Sequence, residues 1–288
     1  MNGFFNVLKT SGMTSSKVVS KVKHILINVM GEPKNVSVGH MGTLDPGGAG
    51  VLPIAVGRAT RLFDYMLQKT KVYRAAFTFG AETDTLDSYG KVTELTDRIP
   101  DISEVERIIP SLVGDVDQIP PIYSAKSIGG VKAYDLARRG LNPELKPKRV
   151  HIYSIELVEQ TAPDTFVFDI ECSGGTYVRS IARDMAYGLG TVGYMAYIIR
   201  TRSGSFTIDR SVTLDELALD PYRYITAMDA VVDYPTFEPS EIGMTRMTNG
   251  LSIRSNVEDG LYAVYRDGAI YGIAESIDGS ISFKTRLV

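Results

Sequence analysis

VGHMGTLDPGGAGVLP, from Val38 to Pro53, sets one carboxylate, Asp45, and one imidazole, His40, among five glycines. Pro46 limits Asp45 to extended backbone conformations while the glycines permit a tight turn, so the carboxylate is expected on a rim. An aspartate that only stabilises a turn has the same local pattern. The stretch is bounded by regular structure on its upstream side. SSKVVSKVKHILINVM spaces Val18, Val19, Val22, Ile25, Leu26 and Val29 at helical intervals, with Ser15 or Ser16 as cap and Gly31 and Pro33 as stop. Lys17, Lys21 and His24 fall on its polar side.

Downstream, VYRAAFTFG (Val72–Gly80) alternates Tyr73, Ala75, Phe77 and Phe79 against Arg74 and Thr78, which predicts a half-buried strand. SEVERIIPSL opens with a capping pair, Ser103 and Glu106. TFVFDIECS predicts a further strand, and GGT turns it into a helix beginning at YVRSIARD, with Arg179 and Arg183 on one face. Beyond Thr236 the chain changes to short strands with turns at Asp267-Gly268 and Asp278-Gly279. An α/β fold follows, with a large region over 1–236 and a small β-rich module over 237–288. Within the first, residues 119–150 combine prolines, paired glycines and basic side chains, as an extended insertion able to close over a ligand would.

Cys172 is the single cysteine and His24, His40 and His151 are the three histidines, so an internal disulfide is excluded and a zinc cluster disfavoured. The longest run free of Asp, Glu, Lys and Arg, Met185–Ile199, holds three glycines and is shorter than the roughly 18 apolar residues of a membrane span. MNGFFNVLK lacks the plan of a signal peptide, which leads to an expectation of a cytoplasmic protein without membrane contact. The net charge of −3 conceals alternation: +6 over residues 1–71, −6 over 72–118, +5 over 119–150, −6 over 151–236 and −2 over 237–288. Charge blocks are commonly solvated faces. Here both basic blocks also carry the distinctive loops, which favours a polyanionic partner.

GHMGTLDPGGAGVLPIAVGRATR resembles the signature of the TruB family of tRNA pseudouridine synthases. In the same order as in that family, LKTSGMTSSKVVSKVK resembles its N-terminal motif, KVYRAAFTFGAETDTLDSYG its K-x-Y and T-D-T-x-D-x-x-G segment, IPPIYSAKSIGGVKAYDLARRG its insertion, and CSGGTYVRSIARDMAYGLG its G-T-Y-I-R segment. The resemblance implies a pseudouridine synthase domain around a mixed, mainly antiparallel sheet, with a PUA-like C-terminal module. It also implies a catalytic Asp45 paired with Arg179, a uridine-contacting Tyr73, substrate contacts from Tyr177 and Ile198, and a His40 that enters the RNA loop. Lys9, Lys17, Arg61, Lys126, Lys132, Arg138 and Arg139 become candidate RNA contacts.

The implied reaction converts uridine 55 in the T-loop of tRNA to pseudouridine after the base is flipped out, without metal or organic cofactor. The implied partner is the T-arm and elbow of tRNA, with no obligate protein or guide RNA, and the expected state is a monomer. Thr10, Met41, Gly47-Gly48-Ala49, Arg61 and Ile199 depart from the family's usual residues, and the three small residues after Pro46 suggest a loosely supported loop. Two rivals use the same features: an RNA chaperone gripping the tRNA elbow without turnover, and a glycosidase. The second commonly needs paired carboxylates, and only Asp45 has a motif.

Overall fold

Alternating burial builds the central sheet. In the computed structural model, which describes residues 1–124, 127–141 and 145–288, Tyr73, Ala75, Phe77 and Phe79 face the core, while Arg74 faces outward to a two-pronged bond with Asp169 on the neighbouring strand. The strands are β1 (Gly3–Lys9), β2 (Ala49–Val56), β3 (Lys71–Phe79), β4 (Gly114–Gln118), β5 (Lys148–Ala162), β6 (Thr165–Cys172) and β7 (Gly193–Ser203). They lie in the order β1-β2-β7-β3-β6-β5-β4, with Val38–His40 and Phe206–Thr207 added beside β2 and β7. Every neighbouring pair is antiparallel except β2 and β7, which run parallel through Ala49 opposite Ile199 and Gly50 opposite Arg200. The sheet is therefore mixed and mainly antiparallel, as expected.

The first helix spans Ser15–Met30 and ends at Gly31, which adopts a left-handed conformation, φ 70°. Its cap is Thr14 rather than Ser15 or Ser16: Thr14 Oγ1 accepts from the Lys17 N–H, leaving Ser15 buried and free for another task. The second capping assignment shifts as well. Asp101 and Glu104 form the reciprocal box at the start of the Ile102–Ile108 helix, because a carboxylate two residues earlier reaches the exposed N–H groups first. The helix predicted after GGT spans Val178–Gly188.

Within the described part of residues 119–150 the chain is less extended than its composition suggests. A two-residue hairpin pairs Ser127–Ile128 with Val131–Lys132, and a short helix follows over Ala133–Arg138. Two glycines with positive φ, Gly129 and Gly130, make that turn.

A second sheet orders its strands as Thr236–Phe237, Gly260–Arg266, Ala269–Ile277, Ser280–Arg286 and Ile253–Arg254. Asp267 and Asp278 take φ 51° before Gly268 and Gly279 at 72°, the turns read from the sequence. Ile270 and Ile273 of this sheet, with Leu287 just beyond it, share a buried cluster with Phe4, Val51 and Met66 of the larger region. Arg61, expected at an RNA surface, is exposed and sends Nη1 to the Arg286 carbonyl at 2.8 Å, which ties the helical turn Gly57–Leu62 to the second sheet. Among the described residues no helix is long and apolar enough to cross a membrane.

Gly50 marks where β2 and β7 approach most closely. Its φ is +105°, and a Cβ there would overlap the Arg200 carbonyl. Gly50→Ala is expected to cost about 3 kcal/mol in urea unfolding, because it combines backbone strain with a clash inside the sheet. Gly250→Ala, at a similar φ of +80° but with nothing within 4 Å of the added Cβ, is expected to cost about 1 kcal/mol.

Candidate active site

Asp45 stands in the loop between the Val38–His40 strand and β2, and the carbonyls of that loop from Gly42 to Gly48 are all engaged. Arg200, buried in the middle of β7, donates to the carbonyls of Gly42 at 3.1 Å, Thr43 at 3.4 Å and Val51 at 2.8 Å. Ser15 both donates to the Leu44 carbonyl at 2.8 Å and accepts from the Leu44 N–H at 3.0 Å. The Gly48 N–H turns back to the Asp45 carbonyl, while the Gly12 N–H holds the Pro46 carbonyl and the Ser11 hydroxyl holds that of Gly47. Lys9 completes the set, donating to the carbonyls of Thr10, Pro46 and Gly48. Each carbonyl from Gly42 to Gly48 therefore has a donor, and the loop that looked loosely supported is tethered at every residue.

Lys9 is accordingly not placed as an RNA contact. It is 1% exposed, and its ammonium is spent on loop carbonyls. Burial lowers its pKa to about 8, opposed by the Asp45 charge and reinforced by Arg200.

Arg179 projects from the first turn of the Val178–Gly188 helix. Its Nε lies 3.0 Å from Asp45 Oδ2, its Nη1 donates to the Thr85 carbonyl at 2.9 Å, and its Nη2 donates to the Tyr123 carbonyl at 3.1 Å. The guanidinium is buried while 38% of the Asp45 side chain is open. A second carboxylate, Asp87, reaches to 3.7 Å from Nη1 and is oriented by the Thr85 hydroxyl at 2.6 Å and the Tyr89 N–H at 3.0 Å. The turn that carries Asp87 includes Leu86 at φ 59° and is pinned to β7 through the Met195 N–H and the Ala196 carbonyl. This cation holds one acid facing solvent and rests against another, an arrangement that orients the exposed oxygen of Asp45 for attack or proton transfer.

Tyr73 is 8% exposed and sits opposite Arg200 on the neighbouring strand. Burial pushes its phenol up, and the nearby guanidinium opposes the shift. Tyr177 caps the Arg179 helix, with both its backbone groups held by the buried Gln118 side chain at 2.7 and 3.0 Å. Its phenol is raised by burial, with Arg179 pulling the other way. Ile198 packs with Leu44 and Tyr73 in the buried core, against Gly48: a Cβ at Gly48 would stand 3.0 Å from Leu44 and 3.2 Å from Ile198.

The structure thus gathers Asp45, Arg179, Tyr73, Tyr177 and Ile198 around one point. His40 lies at the edge of this group, half-buried, and burial followed by the Arg200 charge lowers its pKa, so the ring is neutral at neutral pH. Lys17 and Arg139 are exposed on the surface. Lys126 lies outside the described residues, as do the side chains of Lys132 and Arg138.

A family model described as TruB family pseudouridylate synthase (N terminal domain) matches residues 30–178. The chain belongs to the TruB family. A tRNA pseudouridine synthase B from Caldanaerobacter subterraneus subsp. tengcongensis is 39% identical over 282 residues, covering 96% of each chain. Another from Heliobacterium modesticaldum is 39% identical over 258 residues, covering 88% of this chain and 82% of that one. In fold the chain is similar to a solved Cbf5-Nop10-Gar1 complex, with a TM-score of 0.76 at 21% identity, covering 99% of this chain and 85% of that one. The TruB match holds His40, Asp45, Tyr73 and Tyr177. Arg179, Ile198 and Arg200 lie past its end and are brought to Asp45 by the helix and by β7.

Arg200, Asp87, Ser15 and Ser11 escaped the reading of the sequence as site residues. A signal existed for Arg200, a charge set in the apolar strand YMAYIIRT, and for Asp87, the last acid of T-D-T-L-D. Ser11 and Ser15 gave none beyond their place in the N-terminal motif.

Lys9→Met leaves the Pro46 carbonyl with one donor and strips the Gly48 carbonyl of its donor, and is expected to lower turnover about tenfold at unchanged fold by circular dichroism. The pH dependence has a definite sign. Lys9 and Lys71 are both lowered to about 8 by burial. Between that value and 10.5 the unfolded chain holds protons that the folded chain has released, so their contribution to stability rises with pH across this window. Unfolding free energies from urea titrations at pH 7.5 and 9.5 should show a rise smaller by about 2 kcal/mol for Lys9→Met than for the parent, out of about 3 kcal/mol over the whole window.

Proposed function

We propose that the protein isomerises uridine 55 in the T-loop of tRNA to pseudouridine, with Asp45 as the reacting group. The observation that carries this reading is a solvent-facing carboxylate ion-paired at 3.0 Å with a buried arginine, on a loop whose every carbonyl is held. Membership in the TruB family and the relatives named tRNA pseudouridine synthase B supply the substrate. We assign the activity to residues 1–236 and place the protein in the cytoplasm as a monomer.

In this reading the T-loop uridine leaves its stack and His40, neutral by burial, enters the space it vacates. The N1–C1′ bond breaks, the uracil turns, and C5 bonds to C1′; C5 then gives up its proton to solvent and N1 takes one up, so substrate and product have the same atoms and electrons. The Asp45 carboxylate serves either by adding to C1′ or by removing the C2′ proton to give a glycal; deuterium at C2′ separates the routes, since only the second gives a primary isotope effect. Tyr73 and Ile198 wall the site and keep the detached base from escaping. Arg179 holds the carboxylate in line throughout.

Asp45→Asn keeps the shape and removes the charge. Release of tritium from [5-³H]uridine-labelled tRNA is expected to fall by at least about 10³-fold, while tRNA affinity by filter binding changes less than about threefold. Turnover equal to the parent would reject the assignment.

A further inference from the structure

Gly47, where the sequence departs from its family, is a seat. A Cβ at this position would stand 2.1 Å from Tyr89 Cε2, overlapping the edge of the ring that lies against the glycine. The Tyr89 hydroxyl stands 3.5 Å from that of Ser11, whose hydroxyl donates to the Gly47 carbonyl at 2.9 Å. At its other end the residue is anchored by its N–H to Asp87 Oδ1 at 3.0 Å, and Asp87 lies beside Arg179. Tyr89 is 69% exposed, the most exposed aromatic side chain among the described residues. It stands over the catalytic loop beside Gly47, two residues from Asp45. An aromatic residue anchored through its backbone, seated against a glycine and open to solvent, is the form that a base-stacking platform takes.

We propose that Tyr89 is a substrate-contacting residue of this protein, stacking on a base of the RNA next to the target uridine, and that Gly47 is the vacancy that lets its ring lie at the mouth of the site. The inference rests on the assignment of an RNA uridine as substrate and adds a specificity element to it. Gly47 and Tyr89 form one device: a larger residue at position 47 evicts the ring even when the tyrosine is present.

The test uses the full chain and a T-arm stem-loop carrying 2-aminopurine beside the target uridine. Tyr89→Ala is expected to raise KM about tenfold, with kcat within about twofold, and to abolish the quenching of 2-aminopurine fluorescence. Tyr89→Phe keeps both at the parent value, since stacking needs the ring and not the hydroxyl. Gly47→Leu reproduces the Tyr89→Ala values, and the double variant is no worse than either single one. Parental KM and quenching in Tyr89→Ala would overturn the proposal; so would loss of kcat at unchanged KM, which would make the ring a prop for the loop. Failure of the parent protein to modify the stem-loop would instead reject the uridine 55 assignment, and the quenching comparison, run on any RNA that the protein isomerises, would still decide the role of Tyr89.

Discussion

A backbone turn that presents one carboxylate to solvent leaves its own carbonyl groups without partners, and this constraint organises the centre of the molecule. Lys9 and Arg200 meet it with buried positive charge, and Arg179 adds a third cation at the carboxylate itself. Burying three cations is costly unless each is hydrogen-bonded. Here every side-chain nitrogen of the three has an acceptor: the loop carbonyls need donors and the cations need acceptors, so the two demands offset one another. The small residues after Pro46 are what allow the approach, since Gly48 leaves room for Leu44 and Ile198 to close from either side.

The sheet exists around that centre in a specific way. Gly50, Arg200 and Tyr73 lie opposite one another across β2, β7 and β3, so one line of cross-strand register places the loop's anchor and the phenol on adjacent strands. A slip of one residue in β7 would turn Arg200 away from the loop and set Ile199 or Thr201 in its place. Register in this sheet is therefore as consequential as the identity of the side chains.

Much of this was legible in the sequence, though through different channels. Periodicity gave the first helix, β3 and β6, because burial on one face leaves a repeat of 3.6 or 2 residues, and the Asp-Gly pairs gave the hairpins of the C-terminal sheet. It could not give the caps: at Thr14 and Asp101 several short polar side chains compete, and the winner depends on where the chain enters the helix. The pairing of Asp45 with Arg179 was legible only through resemblance, since nothing in local spacing links residues so far apart. Lys9 misled for a physical reason. A lysine in a basic segment reads as a phosphate ligand, and only packing shows that its donors are spent on the protein's own carbonyls.

The short parallel contact between Ala49–Gly50 and Ile199–Arg200 also fixes when the site can come into being. During synthesis the aspartate emerges early, whereas Arg179 and Arg200 follow more than 130 residues later, so the loop lacks two of its three anchors for most of translation. An incomplete chain thus carries Asp45 but not the frame that aims it. That frame closes only once Arg179 and Arg200 have been made, so contacts spanning more than 130 residues set the moment at which the loop takes its shape.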